Sequence, residues 1–455
     1  MTPIMHCNKN FLQKWLIRWL ITIMAMMLSV VPSWAALKIT IRQGTIKTVS
    51  LAMANVTTRK HKSDDAALAK NLIQVINDNL SGSGLFEIND DITNSKKIKN
   101  FYSSPAFSRW QKFGNQFLLQ TDLVSNGKRL VVRAKLWDLA KRKNILGRHG
   151  IMLSTNKDNW RRLAHQLSDD IYTRLIGEKG YFDSRIVFIA ETGNKKNRTK
   201  RLAIIDQDGK NLQYISDGRY LVLTPRFSNN LQKISYLSYQ NKKPTVYILD
   251  VETGISRLIG AYDGMTLAPR FSPDNKKIIF SYELNGATNI YVKKLKSTSP
   301  ATPLTRGNYI NISPCYSPDG KFITFTSDRT GSPQIYVMRS NGKDIKRISY
   351  GDGQYSTPVW SPRGDYIAFT KQSKDVFYIG IVKPDGSGER LLSKSFLDEG
   401  PTWSPNGRVV AFFRQKTASD TNLSLWTVDI TGNFLKKIYL PVGGSDPAWS
   451  PLTPR

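Results

Sequence analysis

A proline-led motif recurs in the second half of the chain, and it limits the possible folds more than any other feature. Its copies are "PRFSNNLQKISYLS" from Pro225, "PRFSPDNKKIIFSY" from Pro269, "PCYSPDGKFITFTS" from Pro314, "PVWSPRGDYIAFTK" from Pro358, "PTWSPNGRVVAFFR" from Pro401 and "PAWSP" from Pro447. The offsets between them are 44, 45, 44, 43 and 46 residues. Four short strands fit into about 44 residues, which is the length of one propeller blade. The repeat therefore predicts a β-propeller.

The two ends of this array predict how many blades the propeller has. "SRIVFIAE" (184–191) and "KRLAIIDQDGKNLQYIS" (200–216) supply three strand patterns, but no proline-led motif precedes them. The fragment from Pro447 supplies the missing strand. Pairing it with the strand of 184–191 closes the ring and removes the free sheet edges. Five complete repeats and this composite blade predict six blades.

The part of the chain before the repeats mixes helix and strand patterns. Strand patterns cover 37–43 and 48–56, and a hairpin pattern covers 115–138. One helix is predicted over 157–176, ended by Gly177, and another precedes it in the chain. The first helix follows Ser63 and Asp64, which are suitable N-terminal caps, and its apolar face is formed by Leu68, Leu72, Ile76 and Leu80. We predict an α/β N-terminal domain over 36–178, followed by an all-β six-bladed β-propeller over 179–455 that the C-terminal strand closes.

The N-terminus has the pattern of a signal peptide over residues 1–35. Lys9, Lys14 and Arg18 precede the apolar run "WLITIMAMMLSVV" (19–31), and small residues follow it. We predict cleavage after Ala35, with Ala36 as the alternative site and a retained membrane anchor as the alternative reading. Removal of this segment leaves Cys315 as the single cysteine, so an internal disulfide is not expected.

The chain carries a large positive charge. Its 66 Lys and Arg against 35 Asp and Glu give +31, and loss of the three basic residues of the signal peptide leaves 31 − 3 = +28. Such a charge favours anionic partners, while the alternative is a basic bias spread evenly over the surface. We expect no nucleic-acid partner, since the chain has no known nucleic-acid-binding motif and is predicted to be exported.

The residues needed for catalysis are missing from the repeats. The four histidines, at positions 6, 61, 149 and 165, all precede the propeller, and no Gly-x-Ser-x-Gly motif occurs. No set of Cys, His and carboxylate residues has zinc-site spacing, and His165 is interpreted as a packing or hydrogen-bonding residue. We therefore expect no enzyme activity, cofactor or metal. The alternative is an exported propeller hydrolase or the gating domain of a peptidase.

Several stretches outside the repeats identify a family. These are "NLSGSGLFEI" (79–88), "LVVRAKLWDL" (130–139) and "LAHQLSDDIYTRLIGEKGYFDSRIVFIAE" (163–191). Together with the Pro-x-[aromatic]-Ser-Pro-[Asp/Asn]-Gly repeat, they make the chain resemble the TolB family along essentially its whole length. The resemblance implies a non-enzymatic periplasmic scaffold of the Tol–Pal system, which supports outer-membrane integrity and envelope constriction at cell division.

The resemblance also implies two protein partners and a monomeric chain with no transmembrane span after processing. A TolA-like inner-membrane protein would engage the first residues of the mature chain, within 36–45, namely Ala36, Leu37, Lys38, Ile39, Thr40, Ile41 and Arg42. A Pal-like outer-membrane lipoprotein would bind loops at one mouth of the propeller, just before the proline-led strands. The predicted contacts are Met265, Thr266, Ala268, Asn308, Ile312, Ser313, Tyr355, Asp398 and Glu399.

Overall fold

The structure of the chain is a computed structural model. It describes residues 48–54, 56–58, 63–89, 100–126, 128–194, 197–260, 262–420 and 422–454. The predicted signal peptide, its cleavage site and the segment 36–45 lie outside these residues. No helix in the described ranges is both long enough and apolar enough to cross a membrane.

The N-terminal domain is one mixed sheet with two long helices. Its elements are β1 (Val49–Met53), β2 (Thr57–Thr58), α1 (Ser63–Gly82), β3 (Phe86–Asn89), α2 (Phe107–Lys112), β4 (Phe117–Asn126), β5 (Arg129–Asp138), β6 (Lys143–Asn144), β7 (Ile151–Asn156) and α3 (Trp160–Ile176). The sheet order is β3-β1-β4-β5-β6, with β2 paired to β4 and β7 to β5. β1 runs parallel to both of its neighbours, and β4 and β5 form the predicted hairpin.

The first long helix buries the face that the sequence predicts, and the second ends where it predicts. Leu68, Leu72, Ile76 and Leu80 of α1 are all buried. Gly177 ends α3 in the left-handed conformation, with φ of 81°, which glycine adopts without steric cost. The core of this domain continues without a break into the propeller, because it includes residues of α3 and of the propeller strands.

The propeller has six four-stranded sheets, as predicted. Blade 1 contains β8 (Arg185–Thr192), β9 (Thr199–Asp206) and β10 (Gln213–Tyr214). Blades 2 and 3 contain β11 (Val222–Phe227), β12 (Lys233–Ser238), β13 (Thr245–Asp250), β14 (Ser256–Leu258), β15 (Met265–Phe271), β16 (Lys277–Leu284), β17 (Ala287–Lys294) and β18 (Thr302–Pro303). Blades 4 and 5 contain β19 (Asn311–Tyr316), β20 (Phe322–Ser327), β21 (Gln334–Arg339), β22 (Lys346–Arg347), β23 (Gln354–Trp360), β24 (Ile367–Ser373), β25 (Val376–Val382) and β26 (Arg390–Leu391). Blade 6 contains β27 (Leu397–Trp403), β28 (Val409–Gln415), β29 (Ser424–Asp429) and β30 (Leu435–Lys437), and β31 (Gly443–Trp449) follows it.

Blade 1 is closed by a strand from the other end of the propeller sequence. β31 pairs antiparallel with β8, from Gly443 opposite Glu191 to Trp449 opposite Ile186. The Trp449 indole nitrogen donates to the Ser184 hydroxyl at 2.8 Å, just before β8 begins. The predicted composite blade is therefore confirmed in its strand order, β10-β9-β8-β31.

A buried carboxylate fixes the chain between α3 and blade 1. The two oxygens of Asp169 accept hydrogen bonds from the backbone of Phe182 at 2.8 Å and of Asp183 at 3.0 Å. Gly180 passes so close that a Cβ there would lie 2.0 Å from an Asp169 oxygen. Only glycine fits this approach, so the short linker has one packed path from the helix to the first blade.

Candidate functional site

The two ends of the propeller differ in what covers them. The first strand of each blade is the strand that carries the proline-led motif. It begins at one end of the propeller, which we call the mouth, and runs to a turn at the opposite end. At that opposite end, Glu178 forms ion pairs with Arg363 at 3.1 Å and with Arg408. The Asn406 amide also donates to the Lys179 carbonyl at 3.0 Å. The N-terminal domain and its linker therefore cover the end away from the mouth.

The mouth carries a set of exposed apolar side chains, which we call the rim. Among the described residues these side chains belong to the starts of first strands or to hairpins between second and third strands, which reach the same end. Large apolar residues are normally buried, so several of them on one face indicate a protein-binding surface. The rim comprises Tyr220, Leu221, Tyr239, Leu284, Tyr309, Ile310 and Phe396.

Every first strand contains the same backbone irregularity just before its proline. The pairing register shifts by one bulge in all six blades. The residue before the proline has a positive φ, which bulky residues resist and which is found at functional sites and tight bends. These residues are Thr224 (48°), Ala268 (47°), Ser313 (57°), Thr357 (48°), Gly400 (67°) and Asp446 (49°).

Eight of the nine predicted contact residues occupy strands rather than loops, so the predicted loop position was wrong for these eight. Only Asn308 lies in a loop, where it is exposed. The bulge lets each first strand continue its pairing beyond the proline towards the mouth, which the sequence pattern does not show. Met265, Thr266 and Ala268 lie in β15, Ile312 and Ser313 in β19, Tyr355 in β23, and Asp398 and Glu399 in β27.

Three of these side chains are buried and support the blades. The Thr266 hydroxyl accepts the backbone N–H of Val246 at 2.9 Å. The Tyr355 hydroxyl donates to Glu389 at 2.9 Å, and Asp398 accepts two hydrogen bonds from Arg414. Thr266, Tyr355 and Asp398 are at most 1% exposed, so a partner resting on this surface would not touch them. Met265, Ala268, Ile312, Ser313 and Glu399 remain partly exposed.

Beside the rim lies a groove between blades 4, 5 and 6, with a volume of about 320 Å³. Its wall is held in place by the Asp328 carboxylate, which accepts the Ile310 backbone N–H at 2.8 Å. Burial raises the pKa of Glu399 within it, and the nearby charge of Asp446 raises it further. We call this the mouth groove; it is lined by Ile310, Ile312, Gln354, Ser356, Phe377 and Glu399, among others.

The first strands of the blades that do not line the mouth groove carry charged side chains. Arg226 and Arg270 stand at the second position of the proline-led motif in neighbouring blades. Burial and, to a smaller extent, the charge of Arg270 lower the pKa of Arg226 against the opposing effect of the Asp446 carboxylate, to about 9 in all. Burial likewise raises the pKa of Asp446. The first strands of the blades thus combine apolar surface with charges of both signs.

The domain interface contains a histidine beside two carboxylates, which sequence reasoning missed. His165 of α3 is buried, and its Nε2 lies 3.7 Å from Asp208 and 4.0 Å from Asp206. Burial lowers the pKa of His165, although both carboxylates oppose this. Burial also raises the pKa of Asp206. The expectation that the protein holds no metal stays a prediction, although these three groups lie close enough together to hold an ion.

Comparison with protein families identifies the chain. The model of the TolB beta propeller domain matches residues 172–453, and that of the TolB amino-terminal domain matches residues 37–145. The chain belongs to the TolB family. This confirms the resemblance inferred from the sequence, and the α/β region followed by six blades confirms the predicted fold class.

Two members of the TolB family show how much of the chain is shared. The Tol-Pal system protein TolB of Gluconobacter oxydans (strain 621H) is 39% identical over 390 residues, which cover 85% of this chain and 84% of that protein. The crystal structure of TolB from Acinetobacter baumannii is 26% identical with a TM-score of 0.76, covering 89% of this chain and 97% of that one. The family assignment therefore applies to both domains.

Proposed function

We propose that the protein is the periplasmic adaptor of a Tol–Pal system and has no enzymatic activity. In this proposal a signal peptide over 1–35 directs export. The mouth then binds a Pal-like outer-membrane lipoprotein, and residues 36–42 bind a TolA-like inner-membrane protein. The adaptor thereby supports outer-membrane integrity and cell division. Membership of the TolB family supports the general role.

One observation carries the proposed lipoprotein contact: the exposed apolar rim lies beside a groove at the end of the propeller that the N-terminal domain leaves free. A typical interface has an apolar centre surrounded by polar groups. Tyr309 and Ile310 offer apolar surface, while Gln354, Ser356 and Glu399 offer hydrogen-bonding groups around it. This combination suits a folded protein partner.

The exposure of each predicted side chain decides whether we keep it as a partner contact. We propose that Met265, Ala268, Ile312, Ser313 and Glu399 contact the partner together with Asn308, since all six remain at least partly exposed. Thr266, Tyr355 and Asp398 instead hold the strands that present these side chains. Because the first strands are fixed by ladder hydrogen bonds, the surface is formed before the partner arrives, which lowers the entropy lost on binding.

The experiment is a binding titration with the two partners of the same organism. The exported protein should bind the Pal-like lipoprotein, produced without its lipid, in a 1:1 complex at moderate salt. Deletion of residues 36–45 should abolish binding of the TolA-like protein and preserve binding of the lipoprotein. No lipoprotein complex at moderate salt would overturn the first contact, and loss of both partners on deletion would contradict two separate sites.

A further inference from the structure

His165 reaches from the N-terminal domain to the turn that follows β9. Across the interface, its Nε2 atom lies 3.7 Å from the Oδ2 atom of Asp208 and 4.0 Å from the Oδ2 atom of Asp206. The three ligand atoms lie within 4.8 Å of one another. Asp206 and Asp208 are only two residues apart, so the turn directs both carboxylates at the ring.

The His165 Nε2 atom is buried and has no hydrogen-bond partner. Burying such a group without a partner costs about 1–3 kcal/mol, so a native structure usually provides one. The carboxylates are too distant for a hydrogen bond. Two zinc–ligand bonds of about 2.0–2.2 Å span about 3.3–3.6 Å at a tetrahedral angle and at most about 4.4 Å when they are collinear. One ion can therefore touch Nε2 and either carboxylate oxygen.

We propose that His165, Asp206 and Asp208 form a Zn²⁺ site that links α3 to blade 1. One imidazole and two carboxylates provide three protein ligands, and water completes a four-coordinate site. The nitrogen donor favours Zn²⁺ over Ca²⁺ and Mg²⁺, which prefer oxygen ligands alone. An adjoining cavity of about 560 Å³, lined in part by Asp208, gives the ion a path from solvent.

Two neighbouring side chains set how tightly the site binds. Arg161 is ion-paired with Asp208, so its guanidinium competes with the ion for that carboxylate. Asn79 places its amide nitrogen 3.0 Å from the other ring nitrogen, Nδ1. A zinc-bound His165 carries its proton on Nδ1 and needs an acceptor there. The Asn79 oxygen accepts a hydrogen bond from the Gln207 amide at 2.9 Å. The Asn79 and Gln207 amides must therefore turn together when the ion binds, so that an oxygen faces the ring and the hydrogen bond between them is kept.

This arrangement predicts opposite effects for different substitutions. His165→Gln removes a ligand and should weaken Zn²⁺ binding at least 100-fold. Arg161→Gln removes the competing charge, and Asn79→Asp supplies a permanent acceptor for Nδ1–H, so each should tighten binding several-fold. His149 is exposed, and His149→Gln is the matched control with unchanged affinity.

The test is a calorimetric titration of the chelator-treated, exported protein with ZnCl₂, repeated with CaCl₂ and MgCl₂. We expect one Zn²⁺ per chain, no comparable binding of Ca²⁺ or Mg²⁺, and a rise in Tm of about 3 °C at 100-fold excess over Kd. Substituting Co²⁺ should give visible absorption bands that report nitrogen and oxygen ligands.

Three results would overturn the assignment. The first is no saturable Zn²⁺ binding to the unmodified protein at ZnCl₂ concentrations up to about 100 µM. The second is equal Zn²⁺ affinity in the unmodified protein and the His165→Gln variant. The third is weaker Zn²⁺ binding in both Arg161→Gln and Asn79→Asp. Loss of folding cannot explain a gain in Zn²⁺ affinity. Tighter binding in these two variants would therefore support the site even if His165→Gln is unstable.

Discussion

The Arg414 guanidinium holds Asp398 through two hydrogen bonds, 2.6 Å from Nε to Oδ1 and 2.7 Å between Nη2 and Oδ2. Both side chains are buried, and Ser393 donates a third hydrogen bond to the same carboxylate at 2.6 Å. The pair joins β27 to β28 at the mouth of blade 6. A residue predicted to contact a partner thus holds together the edge on which that contact would be built.

Removing the Asp398 carboxylate should destabilise the propeller. Asp398→Ala leaves the Arg414 charge buried without its partner, which typically costs about 3–5 kcal/mol of unfolding free energy. Asp217→Ala is the control, because Asp217 and Arg219 form an ion pair in which both side chains are exposed. Its loss should stay below about 1 kcal/mol. Urea unfolding followed by tryptophan fluorescence measures both, and equal losses would contradict the role given to the buried pair.

The linker should tolerate no side chain at position 180. In Gly180→Ala the new methyl group would meet Asp169, which binds the linker backbone. We expect a loss of about 1–3 kcal/mol, as for other overpacked sites. Gly82→Ala is the matched control, because its methyl group meets only the mobile end of Lys436. Thermal unfolding distinguishes them, and a Gly180→Ala protein as stable as Gly82→Ala would contradict the packed linker.

Glu178 should make the stability of the protein fall in acid. Burial acts to raise the pKa of Glu178, but the hydrogen bonds and charges of Arg408 and Arg363 outweigh it and lower the pKa below 4.5. A lowered pKa in the folded state adds stability above the unfolded pKa, and this is lost as the pH falls through the folded value. Glu178→Gln should therefore flatten the decline of the unfolding midpoint between pH 5 and pH 3.

Denaturant midpoints at pH 7, 5, 4 and 3 measure this effect. Glu252→Gln, on the exposed turn between β13 and β14, is the control and should keep the slope of the unmodified protein. If Glu178→Gln also keeps that slope, the ion pairs of Glu178 do not contribute to the pH dependence of folding.

The rim should contribute most of the affinity for a lipoprotein partner. Ile310→Ser removes apolar surface from the rim and should weaken the complex at least tenfold, as expected at an interface hot spot. Leu258→Ser is the control, because Leu258 is 40% exposed, against 48% for Ile310, but lies on the outer strand β14. Its affinity should change less than twofold. Calorimetry with the delipidated lipoprotein measures both, and similar losses would argue against the mouth as the contact surface.

The architecture could be predicted from the sequence because it depends on patterns that repeat. The proline-led motif fixes the blade length, and the orphan copy at Pro447 indicates closure by β31, which the structure confirms. The apolar spacing from Leu68 to Leu80 likewise predicts the buried face of α1. Each of these features is local or periodic, so it can be recognised in the sequence without a three-dimensional structure.

The details of the candidate sites could not be predicted in this way. The bulge before each proline extends the first strand, and this turned expected loop residues such as Tyr355 and Asp398 into buried strand residues. The group around His165 was missed because Asp206 and Asp208 follow it by about 40 residues and lie in another domain. Sequence spacing reveals ligands on one element, whereas this set is assembled by packing between two domains.

The pairing of β31 with β8 also determines when the propeller can close relative to the synthesis of the chain. Gly443 and Glu191 are partners in the sheet, yet a ribosome must add the strands of five other blades between them. Until then β8 exposes an unpaired edge that other chains could pair with. Contacts between residues so distant in sequence also form slowly. The nascent chain therefore has to be kept from aggregating until β31 has been synthesised, and the ring can close only after that point.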